Sequence, residues 1–173
     1  QGSDSQALCR TLQFLKKSQF ELQNDWLKDW LNHESYEIRN AVLELLAHQS
    51  VADLVDRMVH NLESPRTWNN AIVALKNQDE SQTREVFRKY LFQEETTNAQ
   101  MDGIIRAIPN FNFPSLANDL IEQLSTKTLN LSETISETLL ALCRQSQLDS
   151  KSIANVDKKI AAFTRQAYGL HFI

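Results

Sequence analysis

Ala41-Val42-Leu43, followed at the next turn by Leu45, opens a pattern that returns as Ala71-Ile72-Val73 with Leu75, Gly103-Ile104-Ile105 with Ile108, and Thr138-Leu139-Leu140 with Leu142. The small positions are 30, 32 and 35 residues apart, the length of a helix, a turn, a second helix and another turn. A unit of that size cannot bury its apolar face alone and stacks on its neighbours. The pattern therefore predicts an all-α chain: a right-handed α-solenoid of stacked antiparallel helix pairs, about nine or ten helices, forming a single helical-repeat domain over residues 1–173.

Composition agrees. Only 3 Gly and 3 Pro occur in 173 residues, where average usage gives roughly a dozen and eight or nine, and turn-rich β architectures draw on both residue types. Hydrophobic residues at 42% and charged residues at 23% suit a core that needs no disulfide or metal. The net charge of -4 opposes a generic nucleic-acid binder, whose affinity comes from clustered Lys and Arg. Here the basic residues form separated pairs, Lys16-Lys17, Arg88-Lys89 and Lys158-Lys159. Cys9 and Cys143 show neither metal-ligand nor redox spacing and read as small apolar residues on helix faces. No apolar run reaches the roughly eighteen residues of a membrane span. The compartment is open, with the cytoplasm favoured, and the start Gln1-Gly2-Ser3-Asp4-Ser5 reads as either a cut boundary or a processed end, which leaves room for a longer parent protein.

The helices follow from apolar spacing and caps. Leu8, Leu12 and Leu15 mark a first helix over Gln6 to Lys17, and Phe20, Leu27 and Leu31 a second from about Gln19 to Asn32. Ser35 caps a third that runs to about His48. A fourth spans Val51 to Leu62, and Ser64-Pro65 reads as an N-cap with Pro at the first helical position. Asp79 with Gln82, Thr97 with Gln100, and Asn130 with Glu133 are capping-box patterns. The loop Pro109 to Pro114 breaks the periodicity, and Phe111 and Phe113 should tuck beneath neighbouring helices. A last helix covers about Ile153 to Tyr168, with Gly169 as its stop.

Asp29 to Leu46, DWLNHESYEIRNAVLELL, resembles a HEAT-type repeat junction. One helix ends on Trp30-Leu31, a short acidic turn follows at His33-Glu34-Ser35, and the next opens with Ile38-Arg39 before Ala41-Val42. The Ser64-Pro65 junction, with Trp68 and Ala71, is similar. The small residue lets neighbouring helices approach, since interaxial distance follows side-chain size at the contact. Gly103 fits this reading, because a mid-helix Gly costs about 1 kcal/mol relative to Ala and needs a packing return. The resemblance implies a helical-repeat scaffold.

No Gly-rich loop, nucleophile elbow or HExxH motif is present, and His33, His48, His60 and His171 are scattered. Asp53, Asp56 and His60 share a face opposite an apolar stripe and read as solvated. The expectation is a non-enzymatic adaptor, without cofactor or metal, that binds another protein or peptide in a concave groove. Register places Glu37, Arg39, Asn40 and Glu44 there, then Arg66, Asn69, Asn70 and Lys76, then Asp102 and Arg106. Asn70 should face outward beside a close-packed Ala71. Arg39 and Arg106 are the expected anchors for an acidic partner. Trp26 and Trp30, at i and i+4, either pack on the preceding repeat or form an exposed aromatic patch for a partner. Two alternatives remain open: a HEAT-like nucleic-acid module using Arg39, Arg66, Lys76 and Arg106, which the acidic total opposes, and a helical lyase-type subunit.

Overall fold

The computed structural model describes residues 7–8, 10–12, 14, 24–111, 113–124, 129–145 and 148–168. Among them no residue lies in a strand. From Asn24 onward the described residues form nine α-helices: α1 (Asn24–Leu31), α2 (Tyr36–Leu46), α3 (Val55–His60), α4 (Trp68–Lys76), α5 (Glu80–Phe92), α6 (Asn98–Ala107), α7 (Pro114–Gln123), α8 (Leu129–Arg144) and α9 (Ser150–Tyr168). Short 3-10 turns occupy Ala52–Leu54, Asn61–Glu63 and Ile108–Asn110. The described residues of the first expected helix are helical. Cys9, Leu15, Lys16, Lys17, Phe20, Gly169 and His171 lie outside the described residues. The chain forms two compact units, Gln1–Lys89 and Tyr90–Ile173.

In the first unit α2 packs on both α1 and α4, and α3 packs on α4. Ile38, Val42, Leu43, Leu45 and Leu46 of α2 are buried, as are Leu27 and Leu31 of α1 and Ala71, Ile72, Ala74 and Leu75 of α4. Hydrogen bonds tie each helix pair to the next at a spacing near thirty residues. Asn61 Nδ2 donates to Leu31 O at 3.0 Å, Asn70 Nδ2 to Asn40 Oδ1 at 3.0 Å, and Gln82 Nε2 to Ala52 O at 2.8 Å. Gln78, eight per cent exposed, clamps the end of α2. Its Nε2 donates to Leu46 O (3.3 Å), Gln49 O (3.0 Å) and Ala74 O (3.1 Å), and its Oε1 accepts from Val51 N (2.7 Å). Because 40 pairs with 70 and 46 with 78, α2 and α4 run parallel.

The second unit repeats this arrangement. Helix α8 packs on α6, α7 and α9. Thr134 Oγ1 donates to Asp102 Oδ1 at 2.7 Å and Thr138 Oγ1 to Ile105 O at 3.3 Å, so α6 and α8 are also parallel. Gly103, Ile104 and Ile105 are buried against this contact. Phe111 and Phe113 are buried as expected, their rings stacked 5.2 Å apart.

Several local expectations are corrected. Residues 51–62 form two short 3-10 turns around α3 rather than one helix, and α4 opens at Trp68 rather than Pro65. Ser64 O accepts from Thr67 N and Trp68 N, and the buried Thr67 hydroxyl turns back to Asn61 O at 2.6 Å; this turn precedes the helix and delays its start. Thr97 and Gln100 form the full reciprocal capping box. Asp79 caps Gln82 N at 2.8 Å, but the Gln82 side chain reaches Ala52 instead of returning. Asn130 lies inside α8 and is not its cap. Helix α9 starts at Ser150, with Asp149 Oδ1 accepting from Ser152 N at 2.7 Å.

The repeated motif is buried unevenly. Ala71 and Gly103 are buried, Ala41 is half-buried, and Val73 and Leu140 are exposed. Thr138 is two to three residues late as the fourth small position: the bonds between 102 and 134 and between 105 and 138 set a step of 32 to 33 residues, not 35.

Candidate functional site

The residues expected in the groove divide between the two units. In the first, Asn40 is half-buried and fully engaged: Nδ2 donates to Arg66 O at 3.0 Å while Oδ1 accepts from Asn70. Asn70 is accordingly half-buried between α2 and α4, not turned outward. The Arg66 guanidinium lies 4.7 Å over the Tyr36 ring, within cation–π range. Beside it the Ser35 hydroxyl, the backbone and the Tyr36 hydroxyl bond the Glu37 carboxylate and hold its pKa below the usual range, while Glu37 raises the Tyr36 phenol in return. Asn69 and Lys76 are exposed.

Arg39 is spent locally. Its Nη1 donates to the carbonyls of His33 and Glu34, the latter at 3.1 Å, pinning the turn between α1 and α2. Ser35 N donates to His33 Nδ1 at 3.0 Å in the same turn. On α1, Trp26 is 53% exposed and meets the half-buried Trp30 at 6.2 Å between ring centroids, with Leu27 and Leu31 buried on the other face. Asp56, on the expected solvated face of α3, pairs with Lys89 at 2.9 Å.

In the second unit Asp102 and Arg106 help line a cleft of ≈ 540 Å³ between α6 and α8. Arg106 Nε donates to Asp102 Oδ2 at 2.9 Å, Nη2 to Thr134 Oγ1 at 3.4 Å, and Nη1 lies 3.7 Å from Glu137 Oε2. The Asp102 hydrogen bond is the main cause of a raised Arg106 pKa, and burial opposes it. Thr134, one hydroxyl between acid and base, donates to Asp102 and accepts from Arg106. Asn98, Asn130, Glu133 and Glu137 complete the polar lining.

Sequence reasoning finds Asp102 and Arg106 but misses Thr134 and Glu137. The signal was present: Thr134 follows Asp102 by the same 32 residues that separate Ala71 from Gly103, and the misplaced fourth repeat hid it. Cys143 is half-buried, and burial, followed by the Asp157 charge, pushes its thiol pKa up. Among the described residues no group of three His, Cys, Asp or Glu is placed to hold a metal ion, and no helix is long and apolar enough to cross a membrane. Comparison with protein-family models, with curated proteins and with solved structures finds no match to this chain.

Proposed function

We propose that the chain is a non-enzymatic protein-interaction scaffold of the HEAT-like kind, its helix pairs stacked antiparallel in a right-handed array. Its parallel helices, α2 with α4 and α6 with α8, present polar side chains to a protein or peptide. The observation that carries this reading is the repeated side-chain bonding across neighbouring helix pairs, Asn40 with Asn70 and Asp102 with Thr134. Such bonds fix each polar residue at one height on the stack, leaving Asn69, Lys76 and Glu137 exposed beside them. A prearranged polar surface loses less side-chain freedom on binding.

A nucleic-acid role is less well supported. Arg39 Nη1 is committed to two backbone carbonyls, and the Arg106 charge is opposed by Asp102 and Glu137. Affinity purification with the chain as bait, followed by reconstitution of each candidate from purified components, tests the proposal. A direct protein partner whose binding weakens on Asn69→Ala with Lys76→Ala, or on Glu137→Ala, is the expected result. Recovery of nuclease-sensitive nucleic acid with no directly bound protein contradicts it.

A further inference from the structure

In the turn between α1 and α2, His33 does what an Asn or Asp side chain does in an Asx turn. Its ring Nδ1 accepts the backbone N–H of Ser35, two residues on, at 3.0 Å. That bond uses the Nδ1 lone pair, so it exists only while the imidazole is neutral with its proton on Nε2. Imidazolium is a donor at both nitrogens and accepts nothing. Histidine is also the side chain whose charge ordinarily changes between about pH 5 and 8.

The bond holds the start of α2. Ser35 is its N-cap: the hydroxyl oxygen accepts from Ile38 N at 3.5 Å, and the O–H donates to the Glu37 carboxylate. His33 N donates to Trp30 O at 3.2 Å, and Arg39 Nη1 reaches back to the carbonyls of His33 and Glu34. A proton on Nδ1 would therefore set two donors against each other, close to the Arg39 cation and to the positive end of α2. Glu34 and Glu37 oppose that charge, Glu37 being already bonded by Ser35 and Tyr36 and within the field of Arg66. The elements packed on α1 and α2 add Asp25, Lys28, Asp29, Glu44 and Lys76, with Asp53, Asp56, Arg57 and His60 on the segment of α3 and the 3-10 turn before it. Among the described residues none forms an ion pair with the His33 ring. Lys16, Lys17 and Glu21 lie outside the described residues.

We propose that His33 is an acid-release latch on the α1–α2 turn. The neutral ring holds the Ser35 N–H and steadies the cap of α2. Uptake of a proton at Nδ1 turns the acceptor into a donor, expels that N–H and loosens the turn that joins α2 to α1 and its exposed Trp26. The stabilisation is present where the ring is neutral and is lost as pH falls and the ring takes up its proton.

Nuclear magnetic resonance of the isotope-labelled full chain, followed from about pH 8 to about pH 5 at the His33 ring and the Ser35 amide, tests this latch. The Ser35 amide resonance should move with the same midpoint as the ring. Its hydrogen-exchange protection, corrected for the intrinsic pH dependence of exchange, should fall about threefold to tenfold across that midpoint, as the loss of one such bond allows. In His33→Asn the carboxamide oxygen can accept the same N–H and does not titrate, so the Ser35 amide should hold steady throughout. A Ser35 amide that keeps its position and protection while the His33 ring takes up its proton overturns the proposal. An equal titration in the Asn variant also overturns it, because the change then belongs to His60 or to a carboxylate. Should the variant fail to fold, the native titration decides alone.

Discussion

Asn70 donates its carboxamide N–H to the carboxamide oxygen of Asn40, thirty residues earlier, at 3.0 Å, and Asn40 passes a hydrogen bond on to the Arg66 carbonyl. Two successive helix pairs are thereby locked in register by side chains that each look, in sequence, like ordinary solvent-facing amides. In the second unit Asp102 and Thr134 do the same work with different chemistry.

Removing either amide should therefore be felt. Asn40→Ala and Asn70→Ala should each destabilise, and their double-mutant cycle should return a coupling of about 0.5–1.5 kcal/mol, the net worth of such a bond. Urea denaturation of the four proteins measures it. Strict additivity would mean that the bond does not form.

Gln78 should be the costliest polar residue to lose. It is buried and makes three hydrogen bonds to the end of α2 and the turn beyond, and a fourth to Ala74 O of α4. Gln78→Leu should lower stability by about 2–3 kcal/mol, because the backbone groups it leaves are buried or half-buried and unsatisfied groups cost about 1–3 kcal/mol. A urea midpoint within error of the parent would contradict this role.

Gly103→Ala separates packing from propensity. Ala is the better helix former by about 1 kcal/mol, so an exposed site would gain stability. Gly103 is buried in α6, which packs on α8, and an added methyl overpacks the contact at about 1–3 kcal/mol. The thermal midpoint should fall; a rise would show that the helices are not in close approach there.

How far the sequence could be read depended on how local each signal was. Thr97 and Gln100 satisfy each other within one turn, so their capping box is visible in four residues. Ser64-Pro65 misleads because Thr67 bonds back to Asn61, an interaction absent from any capping motif. Ala71 and Gly103 are buried at the repeated small position, whereas Thr138 sits two to three residues past the one that the 32- to 33-residue step sets. For the site, residue type and rough register single out Asp102 and Arg106, and the structure brings both to one cleft between α6 and α8. The groups that meet Arg106, Thr134 and Glu137, lie one repeat onward and are not legible from its own helix. Arg39 was misread as a groove anchor because a guanidinium that caps its own turn looks the same in sequence as one that awaits a partner.

The cap of α9 should titrate. Backbone and hydroxyl bonds from Ser152 hold the Asp149 pKa below its ordinary value. A depressed folded-state pKa means that the unfolded chain binds the proton more readily, so the stabilisation is present above the ordinary Asp pKa and is lost as pH falls through the folded value. Amide hydrogen exchange in the first turn of α9 should accelerate over that acidic window, and Asp149→Asn should abolish the pH dependence. An unchanged pH profile in the variant would contradict the cap.

The central claim is that helices thirty-odd residues apart lie parallel and in contact, and nuclear Overhauser effects between assigned side chains test it most directly. Cross-peaks should link Asn40 with Asn70 and Leu46 with Gln78 in one unit, and Asp102 with Thr134 and Ile105 with Thr138 in the other. Absence of these four contacts, or a set of cross-peaks pairing the same helices in the opposite direction, would contradict the parallel packing and the scaffold proposal that rests on it.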